Sequence, residues 1–589
     1  MRIFFYDYFS KLTEKQLVLL WLLFCFIALT YKLGGVPPYH SDENFYVESS
    51  RNMVETGDYL TPVFNDKKRF AKPILYYWLV SASYKIFGVN LSSARLTSAL
   101  FGSLTIGLLY LLSTRLFDRR IAFYSILILP ATFLHFQISR WATTDIVMSF
   151  FILVALYFFV RGYQNDFKEK LNSYLFYLAM ALGFMVKGPP AIIIPVLIAI
   201  VFLVTTKRKG IGSKLQIGQG LMILMVIIIP WFATMLSLHG DEFKNHIVGA
   251  EIEGRLAHNS PFSLYYFGVV IRYHLPWSLF FVAAVCQQFG VFGFGASPLQ
   301  GGGVQFKQIA TNMKAHFKSL FVKENEPVLF CYIWILVCLA LFTLVRTEHS
   351  RYMLPASPAL AILTAKFFAD LEKMKGIQVG LGYKIPATLT GIILLTLALL
   401  SGVALVALAL MFNVPFWFFV LPIMFLFGGL CVIQCTKTQQ YGKQIFAIAF
   451  VLVFGFSLLS GDVLPHASRN PMKIMSEAIL AEKFRGPIGV YRLGNSRAKL
   501  GVLTGQKVTI LYLPEYVERF LETDEEVRIV MRAEDLETHF ADVPFKILAE
   551  ESAWLEGRID WRRMKELMGK AEAGGTSNLS EKIYLLSNK

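Results

Sequence analysis

The chain predicts a mainly α-helical, polytopic membrane protein with about thirteen transmembrane helices, followed by a small soluble α/β domain. Three observations carry this expectation. Of 589 residues, 55% are hydrophobic and only 17% charged, with mean hydropathy +0.51; a soluble domain carries roughly a quarter charged residues. Apolar runs long enough to cross a hydrocarbon core of roughly 30 Å recur along the chain. From about 466 onward these runs shorten to strand length.

The expected membrane helices lie near 15–33, 92–114, 121–138, 143–161, 172–186, 189–206, 217–236, 276–295, 327–345, 353–370, 386–412, 416–435 and 444–462. The first apolar segment, Leu17–Thr30, runs into Tyr31-Lys32-Leu33 with no small-residue cleavage pattern, so it reads as a retained helix. The net charge of +16 comes from 57 basic and 41 acidic residues. Such an excess can mark a nucleic-acid binder. Here basic loops on the cytoplasmic side explain it, and no nucleic-acid partner is expected. With a cytoplasmic N-terminus, Arg115/Arg119/Arg120, Arg161/Lys168/Lys170, Lys207/Arg208/Lys209/Lys214, Lys307/Lys314/Lys318/Lys323, Lys373/Lys375/Lys384 and Lys437/Lys443 all fall on one side. An odd number of spans then puts the C-terminus outside. The six cysteines lie in or beside apolar stretches and suggest neither a disulfide framework nor a metal site.

The expected organisation is a membrane domain over 1–465, with long outer loops at 34–91 and 237–275, and an outer α/β domain over 466–589. Phe45–Val54 and Ile74–Phe87 are amphipathic and read as helices lying at the interface. Tyr76, Tyr77 and Trp78 suit an interfacial aromatic belt. In the last domain, strands are expected at Ile488–Leu493, Lys507–Leu513, Val527–Met531, Phe545–Leu548 and Ile583–Leu586. Helices are expected at Pro471–Lys483, Pro514–Leu521 and Trp561–Met568. Gly494-Asn495-Ser496 reads as a turn, with no nucleotide fingerprint.

Charged residues beside lipid are costly, so polar clusters at helix mouths are functional candidates. The first is His40-Ser41-Asp42-Glu43, after Pro37-Pro38-Tyr39. A carboxylate there can take the proton of an attacking hydroxyl; a solvated loop acid is the alternative. Lys72-Pro73 follows. Proline holds the lysine extended, and a fixed ammonium suits a phosphate; a lysine snorkelling to headgroups is the alternative. Arg140 and Asp145 flank the short turn Ser139–Asp145, as ligands or as a structural ion pair. Lys187-Gly188-Pro189-Pro190 joins two helices, and Lys187 suits the C-terminus of the first. Glu251, Glu253, Arg255 and His258 precede Pro261-Phe262; a lone histidine seldom makes a metal site. Arg346-Thr347-Glu348-His349-Ser350-Arg351-Tyr352 closes the set, with two arginines able to grip a lipid phosphate or to anchor at the interface.

Together these pieces resemble the large membrane glycosyltransferases of the GT-C fold. The nearest branch is the bacterial group related to protein O-mannosyltransferases and to the aminoarabinose transferase that modifies lipid A. The resemblance rests on Asp42-Glu43 with Tyr46; Gly57-Asp58-Tyr59 with Pro62; Lys72-Pro73 with Tyr77-Trp78; Arg140 with Asp145; Lys187-Gly188-Pro189; Pro230-Trp231; Arg255 and His258; Pro276-Trp277; and Arg351-Tyr352 with Leu354-Pro355, in family order. It implies inverting transfer of one sugar from a polyprenyl-phosphate carrier to a lipid A, polysaccharide or other acceptor, at the periplasmic face of the bacterial inner membrane. Asp42 takes the position of the catalytic base, with Asp145 as a second catalytic carboxylate. Lys72 takes that of the residue holding the carrier phosphate. Glu43, Tyr46, Arg140, Lys187, Arg255, His258, Arg351 and Tyr352 are expected around the substrates. The chain departs from the lipid A branch at Ala71, where that branch has a glutamate implicated in metal binding, and at Phe45, where it has an arginine. A divalent metal is therefore not expected. The expected partners are the lipid-linked sugar donor, a lipid or glycan acceptor and membrane lipids. A protein acceptor stays open. So does a lipid-linked sugar flippase, although that class carries its polar residues at mid-membrane depth.

Overall fold

The computed structural model describes residues 13–36, 38, 41–64, 67–208, 210–253, 263–288, 314–315, 317–345, 348–374, 380–411, 414–467, 471–493, 496–554 and 580–589. Arg255, His258, Pro261-Phe262, Arg346 and the expected helix at Trp561–Met568 lie outside the described residues, and so do His40 and Gly494-Asn495.

The described chain divides into two units. One comprises 1–31, 57–79 and 95–459; the other comprises 32–56, 80–94 and 460–589. The first is the helical membrane unit. Among the described residues, eight helices are long and apolar enough to cross a membrane. Two bent pairs, Arg119–Ala131 with Phe133–Ser139 (66°) and Tyr265–Tyr273 with Trp277–Gln288 (114°), raise this to ten. Glu14–Thr30, Lys170–Lys187 and Pro190–Thr205 are the remaining expected spans, and each is helical. Each expected segment overlaps a helix among the described residues; 121–138 is broken, and 276–295 coincides over Trp277–Gln288 with the second half of a bent pair whose first half, Tyr265–Tyr273, lies in the expected outer loop. Pro130 sits at the first break, where it cannot donate to the ladder.

Local signals explain the helix ends. Thr13 and Gln16 form a reciprocal cap on Glu14–Thr30: the Gln16 amide nitrogen donates to Thr13 Oγ1 (3.4 Å), and the Thr13 amide nitrogen donates to Gln16 Oε1 (2.8 Å). Asp118 caps Arg119–Ile128 by accepting from the Ile121 nitrogen at 2.9 Å. Small residues allow close helix approach. A Cβ on Gly429 would stand 2.9 Å from Leu395 and 3.2 Å from the Gly391 oxygen, so the helices Leu381–Met411 and Val420–Lys437 meet nearly backbone to backbone.

The interface expectation at 45–54 and 74–87 resolves into two helices, Ser41–Thr56 and Leu75–Phe87. Between them a short hairpin, β1 (Val63–Phe64) with β2 (Lys67–Lys68), was not foreseen. The helix entering the second long loop runs on to Asn245 with a kink at Gly240 (φ 50°), then continues as a wider π-turn over His246–Glu253.

The second unit contains a five-stranded sheet of order β4-β3-β5-β7-β6. Its strands are β3 (Ile488–Tyr491), β4 (Val508–Leu511), β5 (Arg528–Arg532), β6 (Lys546–Trp554) and β7 (Ser580–Ser587). β3 runs parallel to β4 and β5; β7 runs antiparallel to β5 and β6. The five expected strands are all present, with β6 and β7 longer than expected. Alternation along β3 and β5 builds two cores. Ile488, Val490 and Val530 join Met472, Met475 and Leu500 on one face. Tyr491, Ile529 and Met531 join Val517 and Phe540 on the other. Helices Ser496–Thr504 and Ala533–His539 were not expected, because neither has the length for a clear apolar period.

Candidate functional site

In the membrane unit the polar motifs converge in two places. The first is built from helix ends. Asp145 lies in the first turn of Thr144–Gln164, and Lys187 is the last residue of Lys170–Lys187. Each charge suits the helix end that carries it. Gly188, at φ +100°, turns the chain sharply into Pro189-Pro190. Lys187 Nζ donates to Asp145 Oδ1. Arg351, on the 3₁₀ segment Ser350–Ala356, brings Nε to 3.7 Å from Asp145 Oδ2. The three side chains are between 4% and 10% exposed. Lys187 also stands over the Tyr352 ring, 4.9 Å from its centroid. His349 and Phe342 hold that ring at 5.2 and 5.1 Å.

Asp145 was expected among the catalytic carboxylates and near Arg140. Its two oxygens face Lys187 and Arg351, so in this structure it is held in an ion-paired group. Arg140 turns to the end of Glu14–Thr30: Nη1 donates to the Ala28 and Leu29 oxygens (3.1 and 3.0 Å) and Nη2 to the Tyr31 oxygen (2.8 Å). A guanidinium there satisfies carbonyls that the helix leaves without partners.

The second convergence holds the Lys72 segment. Asp58 Oδ1 accepts from the Leu60 and Thr61 nitrogens (2.8 and 3.3 Å), closing an Asx turn. Trp78 Nε1 donates to the Tyr59 oxygen at 2.7 Å, and Trp231 Nε1 donates to the Leu60 oxygen at 3.2 Å. Gly57-Asp58-Tyr59, Trp78 and Pro230-Trp231 are therefore one assembly. Phe70 is buried against the rings of His239, Phe243 and His246. Lys68 pairs with Glu242 at 2.8 Å. Lys72, half-buried, directs Nζ to the Ala71 oxygen at 2.7 Å.

A link between the two places was missed in the sequence. Tyr76 Oη lies 2.9 Å from Ser98 Oγ, and Ser98 Oγ donates to the Thr143 oxygen at 3.4 Å. Tyr76 is fully buried. The helix that begins just after Lys72-Pro73 is thus tied to the turn that presents Asp145. Serine and tyrosine in apolar helices give little warning of such a contact.

Asp42 and Glu43 belong to the second unit. They occupy the first turn of Ser41–Thr56, with Asp42 half-buried and Glu43 and Tyr46 buried. Within that unit the helix is well held. Tyr84 Oη donates to the Val47 oxygen (3.1 Å) and Ser81 Oγ to the Ser50 oxygen (3.2 Å). Arg51 Nη1 donates to the oxygens of Gly501 and Gln506 (3.0 and 3.3 Å). Lys32 pairs with the buried Asp462. Among the described residues no three His, Cys, Asp or Glu side chains gather as a metal site.

Residues 71–233 match the family model described as dolichyl-phosphate-mannose-protein mannosyltransferase. The chain is 28% identical over 366 residues to an undecaprenyl phosphate-alpha-4-amino-4-deoxy-L-arabinose arabinosyl transferase of Photorhabdus laumondii, covering 60% of each chain. It is 28% identical over 356 residues to an uncharacterized protein of Aquifex aeolicus, covering 60% of this chain and 64% of that one. The matches thus span about three-fifths of these relatives' lengths. Among solved structures, ArnT from Cupriavidus metallidurans bound to undecaprenyl phosphate superposes with a TM-score of 0.72 at 20% identity, over 98% of this chain and 99% of that one. Its apo form gives 0.68. These findings bear out the resemblance read from the sequence, and the chain has the GT-C fold of ArnT.

Proposed function

We propose that this membrane protein is a glycosyltransferase that moves one sugar from undecaprenyl phosphate, or a similar polyprenyl phosphate, to a lipid A or related envelope acceptor. The observation that carries this reading is the family match over 71–233, which encloses Lys72 and the Asp145–Lys187 pair. The likeness to the arabinosyl transferases supports the carrier; the lipid acceptor rests on the resemblance read from the sequence. The reading places thirteen spans in the bacterial inner membrane, with 34–91, 237–275 and 466–589 at the periplasmic face.

Asp42 is the base. Its carboxylate takes the proton of an acceptor hydroxyl as that oxygen attacks the anomeric carbon. The bond from that carbon to the phosphate oxygen breaks, and polyprenyl phosphate leaves with both electrons. Attack opposite the leaving group inverts the anomeric centre. Lys72 holds the phosphate as it gains charge. Asp145 acts through its partners: it fixes the Nε edge of Arg351 and the ammonium of Lys187, so that Arg351 and Tyr352 meet the phosphate in one geometry. A guanidinium used for bidentate phosphate contact gains from such fixing. Arg140 positions the end of the first helix. Glu43, Tyr46, Arg255 and His258 are assigned to substrate binding on the resemblance alone. The sugar is a pentose or hexose, and no divalent metal takes part.

Purified protein with a polyprenyl-phosphate sugar and lipid A tests this directly by mass spectrometry of the product. Sugar on lipid A, lost in Asp42→Asn, is expected. The description of the matching family favours a second reading, in which the acceptor is a protein hydroxyl. Sugar found on a periplasmic protein, with lipid A unmodified, would select it. Donor crossing the bilayer with no transfer would reject both and favour a flippase.

A further inference from the structure

The α/β sheet of the second unit holds a polar corner that this transfer chemistry leaves unused. Strand order sets its place. The chain leaves β3 for β4 on one side, then passes back across β3 to β5 on the other. Helices Ser496–Thr504 and Pro514–Leu521 accordingly pack on opposite faces, through Leu500 and Val517. The connections diverge at the carboxyl ends of β3 and β5. In open α/β sheets that divergence forms the crevice where ligands bind.

Arginines stand at both ends. Arg492 is the first residue after β3, and Arg532 is the last of β5. Arg492 has φ 51°, a left-handed conformation that costs an arginine and that clusters at functional positions. Its Nε donates to the Tyr512 oxygen at 3.3 Å, and its Nη1 lies 2.8 Å from His539 Nε2 and 3.8 Å from Asp535 Oδ1. Arg532 Nη1 donates to the Arg492 oxygen at 3.3 Å and stands 3.9 Å from Asp535 Oδ2. Both guanidiniums remain about a third exposed. Beneath Arg492, 5.1 Å from its guanidinium, lies the Tyr491 ring. The Tyr491 hydroxyl is buried without a hydrogen-bond partner, a state that native structures seldom leave unexplained. Tyr512, which follows β4, is 59% exposed.

We propose that this corner binds a phosphorylated saccharide. Two guanidiniums and an imidazole suit a phosphoryl group, which accepts several charge-assisted hydrogen bonds at once. The exposed Tyr512 ring offers the apolar face on which a pyranose packs. Asp535 holds the two arginines in register and competes with the incoming anion, so binding is weak and reversible. The binding stands apart from the transfer reaction and does not rest on the function proposed above.

Hydrogen-exchange mass spectrometry on the full-length protein in nanodiscs reads the corner locally, apart from any carrier site in the membrane unit. Glucose 1-phosphate at millimolar concentration is expected to slow exchange in peptides covering 488–493 and 528–540, more than inorganic phosphate or glucose. Arg492→Gln is expected to weaken the effect roughly tenfold. Asp535→Asn, which removes the competing carboxylate, is expected to strengthen it, and this variant carries the test should Arg492→Gln fail to fold. Nanodiscs containing phosphatidic acid separate a lipid phosphate from a sugar phosphate. No protection by glucose 1-phosphate overturns the proposal. So does protection equalled by inorganic phosphate or seen with phosphatidic acid alone, and so does full protection retained in folded Arg492→Gln.

Discussion

Lys187 donates to Asp145 across the ends of two membrane helices, so the positive end of one helix is bound to the negative end of the other through their side chains. Arg351 approaches the same carboxylate from a third segment. Each charge is nearly buried, and a buried charge that loses its partner is costly. Asp145→Asn is therefore expected to destabilise the protein by about 3–5 kcal/mol, since it leaves two cations side by side. Replacing Asp145 and Lys187 together, as Asp145→Asn with Lys187→Met, is expected to cost less than the sum of the single changes. Thermal unfolding in detergent measures all three. Strict additivity would show that the pair is not coupled.

Asp42→Asn is expected to lower transfer by roughly 10²-fold or more, the scale of lost general-base catalysis. The variant should insert normally, because Asp42 is the half-buried member of its turn and Glu43 the buried one. Near wild-type turnover in purified membranes would remove Asp42 from the mechanism.

Lys72→Ala is expected to weaken polyprenyl-phosphate binding roughly tenfold or more, the loss of one charge-assisted contact. Folding should change little, because Phe70 and Lys68 carry the packing of this segment. Direct binding of polyprenyl phosphate to the reconstituted variant decides it, and unchanged affinity would return Lys72 to a lipid-headgroup role.

Local pattern and long-range contact were unequally legible in the sequence. The membrane helices and the five strands follow from apolar periods of one element each, and the structure has them. The caps at Thr13 and Asp118 are readable by the same local rules. The Asp145–Lys187–Arg351 group is different: its members are far apart in the chain, and only helix packing brings them together. Arg140, five residues from Asp145, was the obvious partner on the chain, and nothing in the sequence signalled that its guanidinium donates to carbonyls more than a hundred residues away. The bend at 131–133 was also hidden, since both apolar halves read as one straight span over 121–138, and the helix Tyr265–Tyr273 was hidden because its stretch read as the end of the outer loop 237–275.

Orientation is tested by chemical access. A single cysteine in place of the exposed Glu537, in a background lacking the six native cysteines, should react with an impermeant thiol reagent on intact spheroplasts. The positive-inside argument requires that result. Labelling only after lysis would invert the topology and put Asp42 and Lys72 on the cytoplasmic side.

Arg51 connects the Asp42 helix to the α/β sheet within the second unit. It lies nine residues after Asp42 on Ser41–Thr56 and donates to the oxygens of Gly501 and Gln506, at the end of Ser496–Thr504. Glu48 and Glu55 flank its guanidinium at 3.9 and 3.7 Å. A charged donor on buried carbonyls contributes about 1.5–3 kcal/mol, enough to help set the position of a helix that Ser81 and Tyr84 also hold. Arg51→Ala is expected to let Ser41–Thr56 shift and so to lower kcat several-fold, with the donor KM little changed, because Lys72 and Arg351 belong to the other unit. Arg51→Lys, which keeps one donor in place, should restore part of the rate. Faster hydrogen exchange over 41–56 should accompany the loss in Arg51→Ala. If kcat holds while exchange rises, Arg51 stabilises the fold without positioning the base.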